Sequence, residues 1–570
     1  MSNPLCVSIF STLLIFSLHT YSSHASCNAA DKAALLSFKT GITVDTTGIL
    51  STWDPDQDCC EAWEGIECNP TAGGRITGLQ LVSRKGEGPS IMKGTLSPSL
   101  ASLHSLEVLV ITGLQRIEGS IPENLSKVTN LTQLYLEDLM LQGTIPSSFT
   151  RLQSLKALSL SGNHLMGQIP SSLSSVSNLV QLSLSRNLFM GPIPDSFGHL
   201  SHLQILDLSH NSLSGVIPAS LGLLKGLTYL DLSHNNFTGK IPVSLGDSTM
   251  LQDVSLSHNR LTGGIPSQIG GLKSLMTLSL SENLLTGMVP MAITSLPKLW
   301  SLNLSHNILS DPFPGSAISP SMLSIDLSYN GFHFKEIPYW IRESAMTNIH
   351  LAGCGITGSL PHFLRPSQFN SIDLSDNFLS GDINTTFARM PYIEKIKLSN
   401  NQLRFDISRI MLPHQLFHLD LHSNQIYGSL SGFLKGQPFK FLESLDMSRN
   451  QITGEIPSLI SEMSNLVMLD LSRNQIEGTV PDSVGEMGRL EWLDVSNNRL
   501  EGKIPESLIL IGGHLRHANF KGNRLCGQIP QGRPFNVFPV SAYAHNLCLC
   551  GKPMPPCKSS NKRWIVQKKG

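Results

Sequence analysis

Ten cysteines are the first residues of this chain able to do chemistry, and they are unevenly placed. Cys27, Cys59, Cys60 and Cys68 lie near one end and Cys526, Cys548, Cys550 and Cys557 near the other, with Cys6 before them and Cys354 alone in the middle. Thiols in such groups bind metal, exchange electrons or close disulfides. Cys548-Leu549-Cys550 lacks partners at the spacing of a zinc site, so no metal and no cofactor is expected. Disulfides in an oxidising compartment remain, with three connectivities open in each group of four. A second titratable set recurs along the chain: His210, His234 and His258, then Glu282, His306 and Tyr329 in the same register. An imidazole with a pKa near 6.5 would gain charge in a mildly acidic medium and favour an anionic partner. Catalytic patterns fail. Gly239-Lys240 and Gly502-Lys503 are followed by Ile rather than Ser or Thr, and no H-E-x-x-H, G-x-S-x-G or kinase signature occurs. The chain is expected not to be an enzyme.

What positions these groups is a repeat. Segments starting at Leu155, Leu179, Leu203, Leu227, Leu251 and Leu275 each begin 24 residues after the last and read L-x-x-L-x-L-x-x-N-x-L-x-G-x-I-P. Leu203, Leu206, Leu208, Asn211, Leu213, Gly215, Ile217 and Pro218 make one complete copy. About nineteen copies run from 76 to 530. The L-x-L core alternates with period two, so its leucines point inward from a short strand while the x residues face outward. One strand buries little alone; stacked neighbours join their leucines into a continuous spine. The row Asn163, Asn187, Asn211, Asn235, Asn259, Asn283 and Asn307 falls where the chain leaves the strand, where an amide can donate to and accept from otherwise unpaired backbone. Gly permits a positive φ, and Ile-Pro sets an extended returning stretch. The pattern frays in four places. Leu114 and Leu139 replace the ladder Asn, and a residue is lost between Asp311 and Trp340. Cys354 stands at an Asn position as a buried substitute, and an insertion falls near Phe433 to Phe441.

The x residues form the expected working surface. Aromatic and Arg side chains anchor interfaces, so Tyr135, Tyr229, Tyr329, Arg449, Arg473 and Trp492 join His210, His234, His258 and His306 as ligand-face candidates. The 41 basic and 42 acidic residues nearly cancel, which gives no electrostatic case for nucleic acid. Residues 1–26 read as a signal peptide, a short apolar run followed by Ser23, Ala25 and Ser26. Residues 27–75 form an N-terminal cap with a helix over Asp31–Thr40, and 526–557 form a C-terminal cap overlapping the last repeat. The basic tail 558–570 is expected to be disordered, and no later run suits a membrane span. Sequons at Asn124, Asn130, Asn236, Asn303 and Asn384 are expected glycan acceptors, Asn303 on the strand face.

The cap Trp53…Asp58-Cys59-Cys60-Glu61-Ala62-Trp63-Glu64-Gly65-Ile66-Glu67-Cys68, the LxGxIP repeat and the closing Asn523-Arg524-Leu525-Cys526-Gly527-Gln528-Ile529-Pro530 together resemble plant extracellular leucine-rich-repeat proteins. Among kinase-free members the chain is similar to DNA-damage-toleration-like and polygalacturonase-inhibitor-like proteins and to receptor-like protein ectodomains. That resemblance implies the pairs Cys27–Cys59, Cys60–Cys68, Cys526–Cys548 and Cys550–Cys557. It also implies an α/β solenoid, a right-handed superhelix with a parallel sheet on its concave face and disulfide-stapled caps. The function it implies is recognition of an extracellular protein, peptide or cell-wall ligand in signalling or defence, beside a receptor kinase or on wall polysaccharide. Inhibition of a wall-degrading hydrolase such as polygalacturonase and a passive wall role are the alternatives. The expected location is secreted, in the apoplast or cell wall.

Overall fold

A computed structural model describes residues 26–83, 90–435 and 439–557. The expected signal peptide, apart from Ser26, and the tail 558–570 lie outside the described residues. The chain divides into two compact units, residues 1–211 and 212–570.

The first unit opens with helix α1, Ala29–Thr40, two residues longer at its start than the apolar spacing suggested. The reason is Asn28, whose side chain accepts from the Ala30 and Asp31 amides and so satisfies orphan donors of the first turn. Ala34, Leu35 and Phe38 are buried, and so is Asp31, fully, as a carboxylate that accepts from Arg75 Nε and the Ile76 amide, each at 2.9 Å. Ile66–Asn69 pairs antiparallel with Arg75–Val82, and Ile42–Asp45 antiparallel with Ile91–Thr95. These strands cover the edge that the parallel stack would otherwise leave open. From there the coils repeat. Ala157–Ser159, Gln181–Ser183 and Ile205–Asp207 pair parallel in register, 24 residues apart.

The second unit continues the same plan within itself. Tyr229–Asp231 pairs with Asp253–Ser255, and in-register parallel pairs follow to Trp492–Asp494 and His517–Asn519. The spacing falls to 23 where Ser301 faces Ser324, and rises to 26 where His418 faces Ser444, across the insertion that holds the short helix Leu430–Leu434. Cys548–Cys550 adds parallel to Arg524–Gln528 and closes the end, with Tyr543 fully buried beneath.

Two features go beyond the sequence reading. The segment after each Asn forms a second parallel ladder, as in His164–Gly167 with Leu188–Gly191 and Ser212–Val216 with Asn236–Thr238. The returning stretch is extended at Ile-Pro, as the sequence suggested, and then tightens into a short turn that the sequence did not show. Pro146, Pro170 and Pro194 hold φ of −61, −65 and −63°, extended, and each caps a five-residue 3-10 turn. So few residues cannot build longer helix before the next strand begins.

The spine is dry: Leu203, Leu206, Leu208, Leu227, Leu230 and Leu232 have no exposed surface. Burying each contributes about 1.5–3 kcal/mol against the conformational entropy of its coil. The ladder amides bridge neighbours. Asn259 donates to the carbonyls of Leu232, Leu256 and Ser257 and accepts from the Phe237 amide. Cys354 stands in that row, buried and unbridged, its thiol directed at the Leu327 carbonyl. Burial, with Asp326 and Asp311 nearby, pushes the thiol up to about 12. Iodoacetamide at pH 8 should therefore leave Cys354 unlabelled in the folded protein and label it in denaturant, as peptide mass spectrometry will show.

Candidate functional site

Each three-residue strand carries two outward positions flanking a buried one, and successive strands stack these into columns. Tyr229 and Trp492 stand on such strands, and Tyr135 at the middle of the five-residue strand Gln133–Glu137. Tyr135 Oη donates to Gln181 in the first unit, and Tyr229 Oη approaches Asp231 in the second. Trp492 is 40% exposed and stacks on His517 at 3.6 Å.

The other seven candidates are not on strands. His210, His234, His258, His306, Tyr329, Arg449 and Arg473 lie past the strand end, all left-handed with φ of 52–54°. The strand stops at its third residue because the chain must turn to present the ladder Asn, and that turn requires a positive φ. Gly162, Gly353 and Gly522 occupy the equivalent place in other coils, a signal in the sequence that the reading passed over. Because one backbone conformation repeats, the side chains leave in one direction and meet. His234 stacks on His258 at 3.9 Å, His258 Nδ1 lies 2.9 Å from Glu282, and His306 stacks on Tyr329 at 4.6 Å. This column is a rim beside the strand face.

The third strand position carries a further column, read from the sequence at Asp207 and Asp231. In the second unit Asp420, Asp446, Asp470 and Asp494 are consecutive neighbours in register. Most such residues accept from the backbone amide two residues on: Asp446 from Ser448, Asp470 from Ser472 and Asp494 from Ser496. The repeated Leu-Asp-Leu-Ser wording therefore has a local turn-forming purpose. A recess of about 510 Å³ opens here, with His422, Asp446, Arg449, Asp470, Arg473 and Asp494 among its lining. The guanidinium groups of Arg449 and Arg473 take part in no ion pair among the described residues. Asp420, His422 and Asp446 bring ligand atoms within 4.8 Å of one another. The 2.7 Å hydrogen bond between His422 Nδ1 and Asp420 accounts for that closeness; it raises the imidazole pKa and, against burial, holds the Asp420 carboxyl below its usual value.

Asp470 has no such partner. Burial first, then the Asp446 and Asp494 charges, push it up to about 6. The folded chain therefore binds this proton more tightly than an unfolded chain, where a carboxyl titrates near 3.9. Stability should fall as pH rises from about 4 to about 6, and the loss should be complete above that range. Asp470→Asn keeps the turn acceptor, as Asn303 does for Ser305. The variant should melt above the parent at pH 7.5 and converge with it near pH 4.

The cysteines bridge as Cys27–Cys59, Cys60–Cys68, Cys526–Cys548 and Cys550–Cys557. Of the sequons, Asn124 and Asn130 are exposed, and Asn236 and Asn384 are half-buried. Asn303 ends a strand, and its side-chain oxygen accepts from Ser305. No described helix is long and apolar enough to cross a membrane.

Comparisons with known proteins accord with this geometry. The leucine-rich-repeat N-terminal domain model matches residues 28–69, and leucine-rich-repeat models match 154–176, 178–200, 193–237, 249–309 and 441–500. Polygalacturonase inhibitor 1 of Arabidopsis thaliana is 35% identical over 191 residues, 34% of this chain. Matched segments span only 35–37% of the length of this and two further Arabidopsis relatives. Among solved structures, the ectodomain of the Arabidopsis receptor kinase GASSHO1/SCHENGEN3, in complex with Casparian strip integrity factor 2, aligns at 31% identity and TM-score 0.74 over 88% of this chain and 59% of that one. The Arabidopsis receptor kinase HAESA, in complex with the peptide hormone IDA and the co-receptor SERK1, aligns at 27% identity and TM-score 0.52 over 93% of this chain and 100% of that one. Coils, bridged caps and matching repeat models together place this chain among the extracellular leucine-rich-repeat proteins of plants.

Proposed function

We propose that the chain is a secreted recognition protein of the apoplast, without catalytic activity of its own, that binds an extracellular peptide or protein along a strand face. One observation carries this: the second unit displays in-register columns of half-exposed polar, charged and aromatic side chains beside a polar recess. Such a surface offers backbone-spaced contacts to an extended partner. The peptide-hormone complex formed by HAESA supports the reading. A signalling output then requires a partner such as a receptor kinase. A glycan at Asn303 would cover part of the face, so occupancy there would confine binding to the coils beyond it.

Affinity capture from extracellular fluid tests the proposal. The chain should retain a discrete protein or peptide that a Tyr229→Ala, Arg449→Ala, Trp492→Ala triple variant loses at unchanged melting temperature. Equal capture by the variant would overturn the reading. The similarity to polygalacturonase inhibitors favours a second reading, occlusion of a wall-degrading hydrolase. Inhibition of a fungal polygalacturonase by the purified chain, lost in the same variant, would select it.

A further inference from the structure

In successive coils of the second unit, the third strand position and the turn residue three places on form two parallel rows. Asp446, Asp470 and Asp494 are in-register neighbours; Arg449 and Arg473 follow the first two, and Asn497 the third. Both rows border one open recess of about 510 Å³, within the roughly 300–1,000 Å³ of small-ligand sites. They do not satisfy each other, since neither guanidinium has an ion pair among the described residues. Asp446 and Asp470 spend Oδ1 on the amide two residues on, and a carboxylate accepts at both oxygens, so acceptor capacity remains. Asp494 is more fully used, by the Ser496 amide and the Asn519 side chain. Arg449, Arg473 and Asn497 are exposed, and the three carboxylates are half-buried.

This mixture disfavours a ligand of either charge. A cation meets Arg449, Arg473 and Lys521, and an anion meets carboxylates one strand spacing apart. An extended peptide backbone fits poorly for a different reason. Each of its residues sends N–H and C=O to the same side, so a carboxylate row repels every carbonyl turned toward it. Hydroxyl groups avoid both penalties, because each donates and accepts and its hydrogen rotates to suit. They donate to the Asp row and accept from the Arg row. We propose that the recess binds an unbranched neutral oligosaccharide lying along the stack, a ligand beyond the peptide or protein bound by the face beside it. Trp492 shares a strand with Asp494, only Leu493 between them, and its 40% exposed surface gives the C–H groups of a sugar ring an apolar border. Asp470, pushed up to about 6 chiefly by burial, serves a hydroxyl whether protonated or not.

Titration calorimetry of the full chain at pH 6 tests the site with three probes of one length: cellohexaose, the fully deacetylated glucosamine hexamer and hexagalacturonate. Cellohexaose should bind at least about tenfold more tightly than either charged probe. Arg473→Ala and Trp492→Ala should each weaken cellohexaose at least about threefold at unchanged melting temperature. Asp470→Asn keeps an acceptor and should leave its affinity within about twofold. Tighter binding of the glucosamine hexamer would show that the carboxylate row takes a cation, and tighter hexagalacturonate that the arginine row takes an anion. A branched high-mannose glycan preferred to cellohexaose would place the ligand on a glycoprotein. Each of these results, or no binding of any probe, overturns the assignment. The probes are free sugars, so the result stands apart from the capture of a peptide or protein.

Discussion

Trp53→Ala is expected to cost about 3–5 kcal/mol, measured as a shift in chemical denaturation of the first unit. Trp53 has no exposed surface, and its ring stacks on Trp63 with centroids 5.3 Å apart and planes within 9°. It also lies 6.2 Å from Phe38 of α1, and its indole N–H donates to the Glu64 carbonyl at 3.0 Å. Truncation thus leaves a void between the helix and the disulfide-bridged loop and an unmet carbonyl. Because coils in a solenoid depend on their neighbours, a loosened cap exposes the next coil rather than merely itself. Amide exchange should accelerate first in the strands Arg75–Val82 and Val108–Thr112. Trp53→Phe keeps the ring contact and loses only the hydrogen bond, so it should cost about 1–2 kcal/mol. An alanine variant as stable as the parent would mean the cap does not seal the stack.

The second large effect lies in the Asn ladder. Asn377→Ala should destabilise the second unit by roughly 2–4 kcal/mol, more than Asn259→Ala. Both donate to three carbonyls, Asn377 to those of Leu351, Leu374 and Ser375. The difference is on the accepting side. Asn377 Oδ1 takes both the Cys354 and the Ile356 amides, at 3.1 and 2.9 Å, because Cys354 replaces the Asn of the preceding coil and its thiol is a weak donor. Among the described residues Asn259 Oδ1 accepts only from Phe237. Restoring the ladder residue tests the account: Cys354→Asn in the Asn377→Ala background should recover part of the loss. Equal melting shifts for the two alanine variants would show that the missing ladder residue puts no extra load on its neighbour.

The sequence by itself determined the coil. Leucines at a constant interval, a polar Asn where the chain leaves the strand and Ile-Pro on the return each have one local solution, and that solution repeats. The position of the cysteines outside the repeats marked both caps; spacing alone left the pairing within each group of four open, the family resemblance implied it, and the structure sets Cys526 beside Cys548 and Cys27 beside Cys59 accordingly. Only the tertiary structure decided the rest. The histidine column looked like part of the strand face, since a period-two count does not show where a strand ends; the left-handed turn moved it to the rim. Asp31, the first residue of the expected helix, is a buried partner of Arg75, 44 positions away. The coupled charges of Asp446, Asp470 and Asp494 were equally illegible. Their meaning is the sum of charges on adjacent coils, and a residue's burial and field depend on neighbours about two dozen positions away in the chain but one strand spacing away in space.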